Sequence, residues 1–425
     1  MLRKIHPFFL LIFCCASGNL LAQRDSSSFY NLLKNSQLEV YGAVNYYNFD
    51  WQTDTVKRNA IDNEKLVIEF NYQRSERLRF NSEIEFEHGG TGVEVEFDRF
   101  EEFGEFEYEV SKGGEVWVEQ MNLEYIGKNW GLQAGRVKVP FSLWADDAKD
   151  EPTDYRTAML SEAEAAILPN NWTENGLAFY ASKALGRNSL SFHAAFVNGL
   201  DNAAFNSANW IKRGNQRRFE MANAENFALC ARTDLRFGSG QLVGASAYFG
   251  NTTGNRPKPD LKAKAPIALF EGHAALRFGR GYLNALAIYG HLDNSERITN
   301  ANRNLSNNLN VKRTPVGAAA LAGFAEIGVE LLRHTSVAQA SETSSVVAYL
   351  RADYYDTMQA TEGQVFNNPR WERKSYSAGL VYQLLHDVHL KIQYSLRKVG
   401  APAPTSVDGG TRESTFVAGL AFDFH

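Results

Sequence analysis

Val388-His389-Leu390-Lys391-Ile392-Gln393-Tyr394-Ser395-Leu396-Arg397 alternates apolar with polar side chains without a break. Successive side chains of a strand point to opposite faces, so Val388, Leu390, Ile392, Tyr394 and Leu396 share one face. His389, Lys391, Gln393, Ser395 and Arg397 share the other. A soluble sandwich accepts the first face, but its packed interior or covered sheet has little room for charge repeated so regularly on the second. A strand with lipid on one side and water on the other accepts both. The pattern recurs in Leu66, Ile68, Phe70 and Tyr72 against Lys65, Val67, Glu69, Asn71 and Gln73. It recurs in Phe227, Leu229, Ala231, Thr233, Leu235 and Phe237 against Ala228, Cys230, Arg232, Asp234 and Arg236. The end of the chain repeats it, with Phe416, Ala418, Leu420, Phe422 and Phe424 opposed to Val417, Gly419, Ala421 and Asp423.

Extending this reading predicts strands at 38–51, 64–73, 78–87, 116–125, 132–138, 175–182, 189–198, 226–237, 241–250, 267–278, 282–291, 321–331, 345–356, 374–384, 388–397 and 414–424. Connections alternate, with short ones such as 74–77, 184–188, 238–240 and 385–387 and long ones such as 88–115, 139–174, 199–225, 292–320 and 398–413. After Pro7, every proline falls outside these strands, as expected of a residue that cannot donate to a ladder. The fold class that follows is all-β: a transmembrane antiparallel β-barrel of about 16 strands, with short periplasmic turns and long extracellular loops. Lipid offers no hydrogen bonds, so such a sheet must close. The localisation that follows is the outer membrane of a Gram-negative-type cell, with outer-membrane lipid as a partner.

Composition agrees. Of 425 residues, 44% are apolar and 22% charged, which excludes disorder, and 28 Phe and 18 Tyr beside 5 Met favour strands. No stretch is long and apolar enough for a membrane helix. A net charge of −5 argues against a nucleic-acid partner. Arg3 and Lys4 followed by the apolar run Phe8 to Ala16 predict an export signal over 1–22, with Ala22 last before cleavage. That removal takes Cys14 and Cys15, leaving Cys230 with no internal disulfide partner. Residues 23–36 are expected to form a periplasmic N-terminal segment, and 37–425 the barrel.

Gly135-Arg136-Val137-Lys138-Val139-Pro140-Phe141-Ser142 resembles the G-R/Q-x-K-x-P-F-S signature of phosphate-selective (porin O/P) outer-membrane proteins. Ile167-Leu168-Pro169-Asn170-Asn171-Trp172-Thr173-Glu174-Asn175-Gly176 resembles that family's I-x-P-x-x-W-x-E-x-G stretch, and Gly114 to Gln120 fits the strand leading into it. The resemblance is confined to roughly residues 113–180. It implies a sixteen-stranded channel, a homotrimer, passing small hydrophilic solutes or ions, anions such as phosphate among them. It also implies a third external loop folded inward, and 139–174 holds that position. Trp144 stands where family members carry a carboxylate, so no role for that carboxylate carries over.

Strict alternation from Leu132 and Ala134 would send Arg136 and Lys138 to lipid, at about 2–4 kcal/mol each near the midplane. The reading therefore places Arg136 and Lys138 in the lumen, with Val137 and Val139 outside. Arg136, Lys138, Arg232, Arg236, Arg277, Lys391 and Arg397 form the candidate constriction and solute-binding set, and Glu83, Glu85, Glu87 and Glu124 the acidic lumen set. Across the lumen face acids and bases nearly balance. They read either as cross-strand ion pairs or as a transverse field between an acidic early wall and a basic late one. Residues 94–109 alternate acids with aromatics, a solvated hairpin extension or a cation-binding stretch. Trp51, Trp117, Trp130, Trp371 and Tyr382 are expected in the aromatic girdles.

No catalytic residue is assigned. His193, His273, His291 and His389 lie on separate strands, and no G-x-S-x-G, phosphate loop or metal-ligand spacing appears. The chain is expected to be no enzyme and to need no cofactor. Two alternatives stay open: a non-channel barrel plugged by its loops, serving as an adhesin or structural surface protein, and a barrel lipid hydrolase.

Overall fold

The computed structural model describes residues 34–88, 96–101, 105–109, 115–142, 158–169, 171–216, 221–303, 314–336, 343–402 and 406–424. The expected signal and most of the N-terminal segment lie outside the described residues. Sixteen strands close into one barrel. In chain order these are β1 (Ser36–Trp51), β2 (Ala60–Ser75), β3 (Leu78–Glu87), β6 (Glu115–Ile126), β7 (Trp130–Lys138), β8 (Thr173–Leu185), β9 (Asn188–Asn198) and β10 (Phe227–Arg236). They continue as β11 (Leu242–Asn251), β12 (Pro266–Phe278), β13 (Gly281–Leu292), β14 (Ala319–Thr335), β15 (Thr343–Ala360), β16 (Glu372–Leu385), β17 (Val388–Val399) and β18 (Arg412–Phe424). A separate hairpin, β4 (Glu96–Glu101) with β5 (Glu105–Glu109), lies in the loop between β3 and β6, where the acidic-aromatic run was expected to extend a hairpin.

Every barrel strand pairs antiparallel with its neighbours, and β1 closes on β18 from Val40↔Phe424 to Trp51↔Glu413. Closure leaves no open sheet edge in the lipid zone, where unpaired backbone groups would find no partner. The predicted strands each match one barrel strand. Observed strands run longer at the loop end, β15 reaching Ala360, and Pro266 opens β12 as its first residue, a position proline tolerates. Two-residue turns at 76–77, 186–187, 279–280 and 386–387 mark one end, and the segments 139–172, 199–226, 252–265 and 293–318 the other. Gly186 in the β8–β9 turn has φ +67°, the left-handed conformation that a two-residue turn asks of glycine.

The facing follows the alternation. Leu390 and Ile392 are 44% and 43% exposed, whereas Lys391 and Gln393 between and beside them are 4% and 2%. The outward belt continues through Leu66, Leu123, Leu177, Phe196, Leu229, Phe270 and Leu420. A closed antiparallel barrel with such a belt is an outer-membrane architecture, and the chain is an outer-membrane β-barrel. The girdle expectation is corrected in part. Trp130 is exposed beside Tyr125, at 5.5 Å between rings. Trp51, Trp117 and Trp371 instead stand on the inner face: Trp51 pairs with Glu413 and Trp117 with Glu85, while Trp371 is buried. Position near a strand end does not decide which face a ring takes; the register does.

The interior departs from a uniformly water-lined wall. Phe141, Trp172, Leu200, Phe205, Trp210 and Ile211 from the long connections pack against Ile267, Leu269, Leu286 and Ile288 on the inner faces of β12 and β13. Burial of each such large side chain is worth about 1.5–3 kcal/mol. Trp210 fills space that Gly290 leaves open, since a Cβ on Gly290 would meet the ring at 2.1 Å. Its indole N–H donates to the Gly317 carbonyl at 3.0 Å. Arg256 ties three connections together, donating to Asn202 (2.6 Å), Asn302 (2.8 Å) and Asp260 (2.7 Å). Those bonds hold the Asp260 carboxyl below its ordinary range. Asn302 lies on α2 (Ser295–Arg303), whose Ile298 joins the same apolar cluster.

Candidate constriction and lumen wall

The connection between β7 and β8 leaves the sheet through Val139, Pro140 and Phe141 and returns through Trp172. The Val139 N–H donates to the Trp172 carbonyl at 2.7 Å, which closes the base of the loop. Phe141 lies 6.0 Å from the Trp172 ring, and Trp172 4.7 Å from Tyr248 on β11. Val137 and Val139 are fully buried in the same inner cluster, so the expectation that they face outward is wrong. They continue the inner face that Gln133 and Gly135 begin, and the loops supply the apolar neighbours that a water-filled lumen would lack.

Ser142 makes three bonds, two of them to the wall and one within the loop. Its N–H donates to Ser246 Oγ at 2.9 Å, its carbonyl accepts from Arg232 Nη1 at 2.9 Å, and its hydroxyl donates to Glu164 Oε1 at 2.8 Å. Arg232 also bonds Asp234 (3.1 Å), Asp234 accepts from His273 (3.0 Å), and His273 reaches Glu271 (2.9 Å). Ser246 bonds Glu271. One buried polar network on β10, β11 and β12 therefore fixes the outgoing limb of the loop.

The returning limb is fixed elsewhere. Ala158 N–H donates to Tyr349 Oη at 3.1 Å, and Met159 N–H to Gln393 Oε1 at 3.3 Å. Arg351 donates to the carbonyls of Met159 (2.8 Å) and Leu160 (3.0 Å). Its charge is balanced by Asp353 (2.9 Å) and Glu326 (3.7 Å). Ser161 Oγ donates to Asp353 at 2.7 Å while capping α1 (Glu162–Ile167). Glu162 accepts from Ser375 at 3.1 Å and pairs with Arg397 at 3.4 Å. The described parts of one loop thus grip β10–β12 and β15–β17.

The candidate residues do not converge on one constriction. Lys138, in register with Thr173, shares Arg136's row on β7, and its Nζ reaches the Glu83 carboxylate of the inner wall at 3.5 Å. Arg136 stands in register with Met121 on one side and Asn175 on the other. That row carries exposed Met121, so Arg136 is on the outward row at the external rim, contrary to the expectation. It is nevertheless buried, donating to the Gln216 carbonyl at 3.1 Å beneath the 199–226 connection. Alternation alone sets this row against lipid up to the strand end; here a loop roofs the rim instead. Arg232 sits in the Ser142 network. Arg397 bonds Glu413 at 2.5 Å, and Lys391 is buried on β17. Arg236 and Arg277 are exposed beside the short turns, far from the loop along their strands.

Among the acids, Glu85 accepts from Asn171 at 2.7 Å and lies 4.0 Å from Lys65, while Glu87 stands opposite Lys65 in register. Glu124 accepts from Arg79 (2.7 Å), Asn81 (3.0 Å) and Tyr180 (2.5 Å). Cross-strand pairing accounts for most of the wall. Sequence reasoning missed Ser142, Ser161 and Glu162, the loop residues that bond to the wall, and Glu164, which bonds Ser142 within the loop. Ser161-x-x-Glu164 before Ala165-Ala166-Ile167 is the helix-start pattern that marks α1.

No family model matches the chain. Over 277 residues it is 27% identical to an uncharacterized protein of Aquifex aeolicus, a match covering 64% of this chain and 57% of that relative's length. The fold is similar to that of the anion-selective porin from Comamonas acidovorans, with 11% identity, 92% of this chain and 99% of that chain covered, and a TM-score of 0.50. It is equally similar to OmpF of Salmonella typhi in a complex with daunomycin, with 11% identity, coverage of 92% and 97%, and a TM-score of 0.50. These likenesses concern the fold.

Proposed function

We propose that this barrel is a passive outer-membrane channel for small hydrophilic solutes, narrowed by residues 139–174. The observation that carries the reading is the loop gripped at Ser142 by β10–β12 and at Ala158–Glu162 by β15–β17. A segment so held restricts the passage without needing the barrel to deform. The remaining path follows the polar wall of β15–β18 and β1–β3, because apolar constrictions dewet and oppose ions. On that wall Lys391 and Gln393 are packed to 4% and 2% exposure, Gln393 against Tyr349, Ser395 and the Met159 N–H.

The porin O/P resemblance implies anions such as phosphate. The pairing of Lys138 with Glu83 and of Arg397 with Glu413 and Glu162 favours instead a constriction with weak charge preference. A homotrimer, and export with loss of residues 1–22, belong to the same proposal; no catalysis does. A second reading, a plugged barrel used as a surface protein, is favoured by the Trp210 cluster. Single-channel recording of purified protein in a planar bilayer tests the pair. Stable ohmic steps support the channel; silence from correctly folded protein supports the plug and overturns the channel.

A further inference from the structure

Asn368-Pro369-Arg370-Trp371-Glu372-Arg373 forms the entry into β16 at the long-loop end of the barrel. Asn368 Oδ1 accepts from the Arg370 N–H at 3.0 Å and Pro369 occupies the first position, so a short 3-10 turn fixes Trp371 against the wall. Two guanidinium groups then lie over one indole, with the Arg370 and Arg373 carbons 5.2 and 5.7 Å from the Trp371 ring centre. The ring favours each cation but does not neutralise either. Nearby carboxylates are engaged elsewhere: Glu372 with Lys374 at 2.7 Å, and Glu413 and Glu162 with Arg397. Among the described residues neither Arg370 nor Arg373 forms an ion pair. Among the described residues Arg370 Nη1 is buried with no hydrogen-bond partner, and Arg373 donates from Nη1 to the Glu372 carbonyl. A buried guanidinium donor without an acceptor is costly, and an oxyanion relieves that cost with charge-assisted bonds.

The site is on the inner side of the mouth. Arg373 is in register with Tyr355 on β15, which packs against the interior apolar cluster, and with buried Val399 on β17. The groups facing Arg373 are the Tyr355 phenol, the Arg397 guanidinium and the Glu413 carboxylate, the last already held by Arg397.

We propose that Arg370 and Arg373 form an oxyanion-capture site at the external mouth, taking the carboxylate or phosphate group of a small solute before it meets the narrowed passage. The site deepens the channel reading and rests on it for its purpose, though not for its binding. It lies apart from Arg136 and Lys138, and among the described residues no carboxylate forms an ion pair with Arg370 or Arg373.

The test is calorimetric titration of the full barrel in detergent at low ionic strength, with sodium phosphate and separately with sodium succinate. Saturable binding of at least one anion is expected, weakened about tenfold or more in Arg370→Gln/Arg373→Gln. Arg280→Gln, in the β12–β13 turn at the other end, should bind as the parent does. If the double variant fails to fold, Arg370→Lys keeps the charge and loses the fork, and an intermediate loss is expected. No binding of either anion by the parent, or undiminished binding by the folded variants, overturns the site. A response confined to micelles doped with phosphatidylglycerol assigns the arginines to lipid headgroups and overturns solute capture. Binding without conductance overturns the channel reading while the site stands.

Discussion

Two sides of the same barrel wall handle the incoming loops in opposite ways. Along β12 and β13, the inner residues Ile267, Leu269, Leu286 and Ile288 are apolar and receive Leu200, Phe205, Trp210 and Ile211, as the core of a soluble domain would. Along β15 to β17 the inner residues are Tyr349, Arg351, Asp353, Ser375, Gln393 and Arg397, and they receive backbone and polar atoms of residues 158–162. One side is sealed by exclusion of water, the other by hydrogen bonds that water can replace. A barrel wall therefore need not be a uniform lining, and its inner composition fixes where a loop seals and where it narrows.

Trp210→Ala attacks the sealed side at its largest side chain. Loss of the indole, its bond to Gly317 and its fit over Gly290 should cost about 3–5 kcal/mol in the packing of the 199–216 segment. Faster proteolysis of that segment, with the barrel intact by heat-modified gel mobility, is the expected result. Proteolysis at the parent rate would mean that the apolar cluster does not hold the loop.

Ser161→Ala attacks the polar side. It removes both the α1 cap and the bond to Asp353, an expected loss of about 1–2 kcal/mol. The local effect should be smaller than that of Trp210→Ala, and single-channel current should become noisier as residues 158–162 loosen. Proteolysis as fast as that of the tryptophan variant would remove the contrast between the two sides.

Lys138 and Arg136 share a row of β7 but differ in reach, since the Lys138 ammonium meets the Glu83 carboxylate of the inner wall. Lys138→Gln frees Glu83 on the inner wall and should shift the reversal potential in a salt gradient toward cations. Arg136→Gln, on the outward row under Gln216, should leave it unchanged. Equal shifts would return Arg136 to the lumen.

The smallest effect is at His88, just past β3. Its hydrogen bond to Asp62 raises its pKa from about 6.5 to about 9, and its side chain is 59% exposed. A raised cationic pKa stabilises the folded form below the unfolded value, so this contribution is complete below about pH 6.5 and fades as pH rises through about 9. Solvent screening limits it to a few tenths of a kcal/mol. Chemical denaturation of the parent and His88→Ala should differ below pH 6.5 and converge above pH 9.

The strands were legible because lipid imposes a period of two on the sequence, and Ile392 against Gln393 reads the same in both. The interior was not. Leu200, Phe205, Trp210 and Ile211 are scattered among Asn, Ser and Asp in what reads as a polar external loop, and no periodicity says that they turn inward. Arg136 was misplaced for a related reason, since alternation put it correctly on the outward row and only the covering loop makes that row habitable. Arg351 and Asp353 were legible as inner-wall charges, but their grip on Met159, Leu160 and Ser161 joins residues about 190 positions apart.

The central claim is that solutes pass along the polar side and not along the apolar one. Native Cys230 lies buried on the apolar side, its thiol 3.4 Å from the Pro140 carbonyl, and Lys138, 23% exposed, lies on the polar side against Glu83. A chain beginning after residue 22 carries Cys230 as its one cysteine. Recording single-channel current while a charged methanethiosulfonate reagent is added to that chain, and to Lys138→Cys/Cys230→Ser, compares the sides directly. A stepwise fall in current for the Lys138→Cys protein and none for native Cys230 is the predicted result; block through Cys230, with no response at position 138, would contradict it.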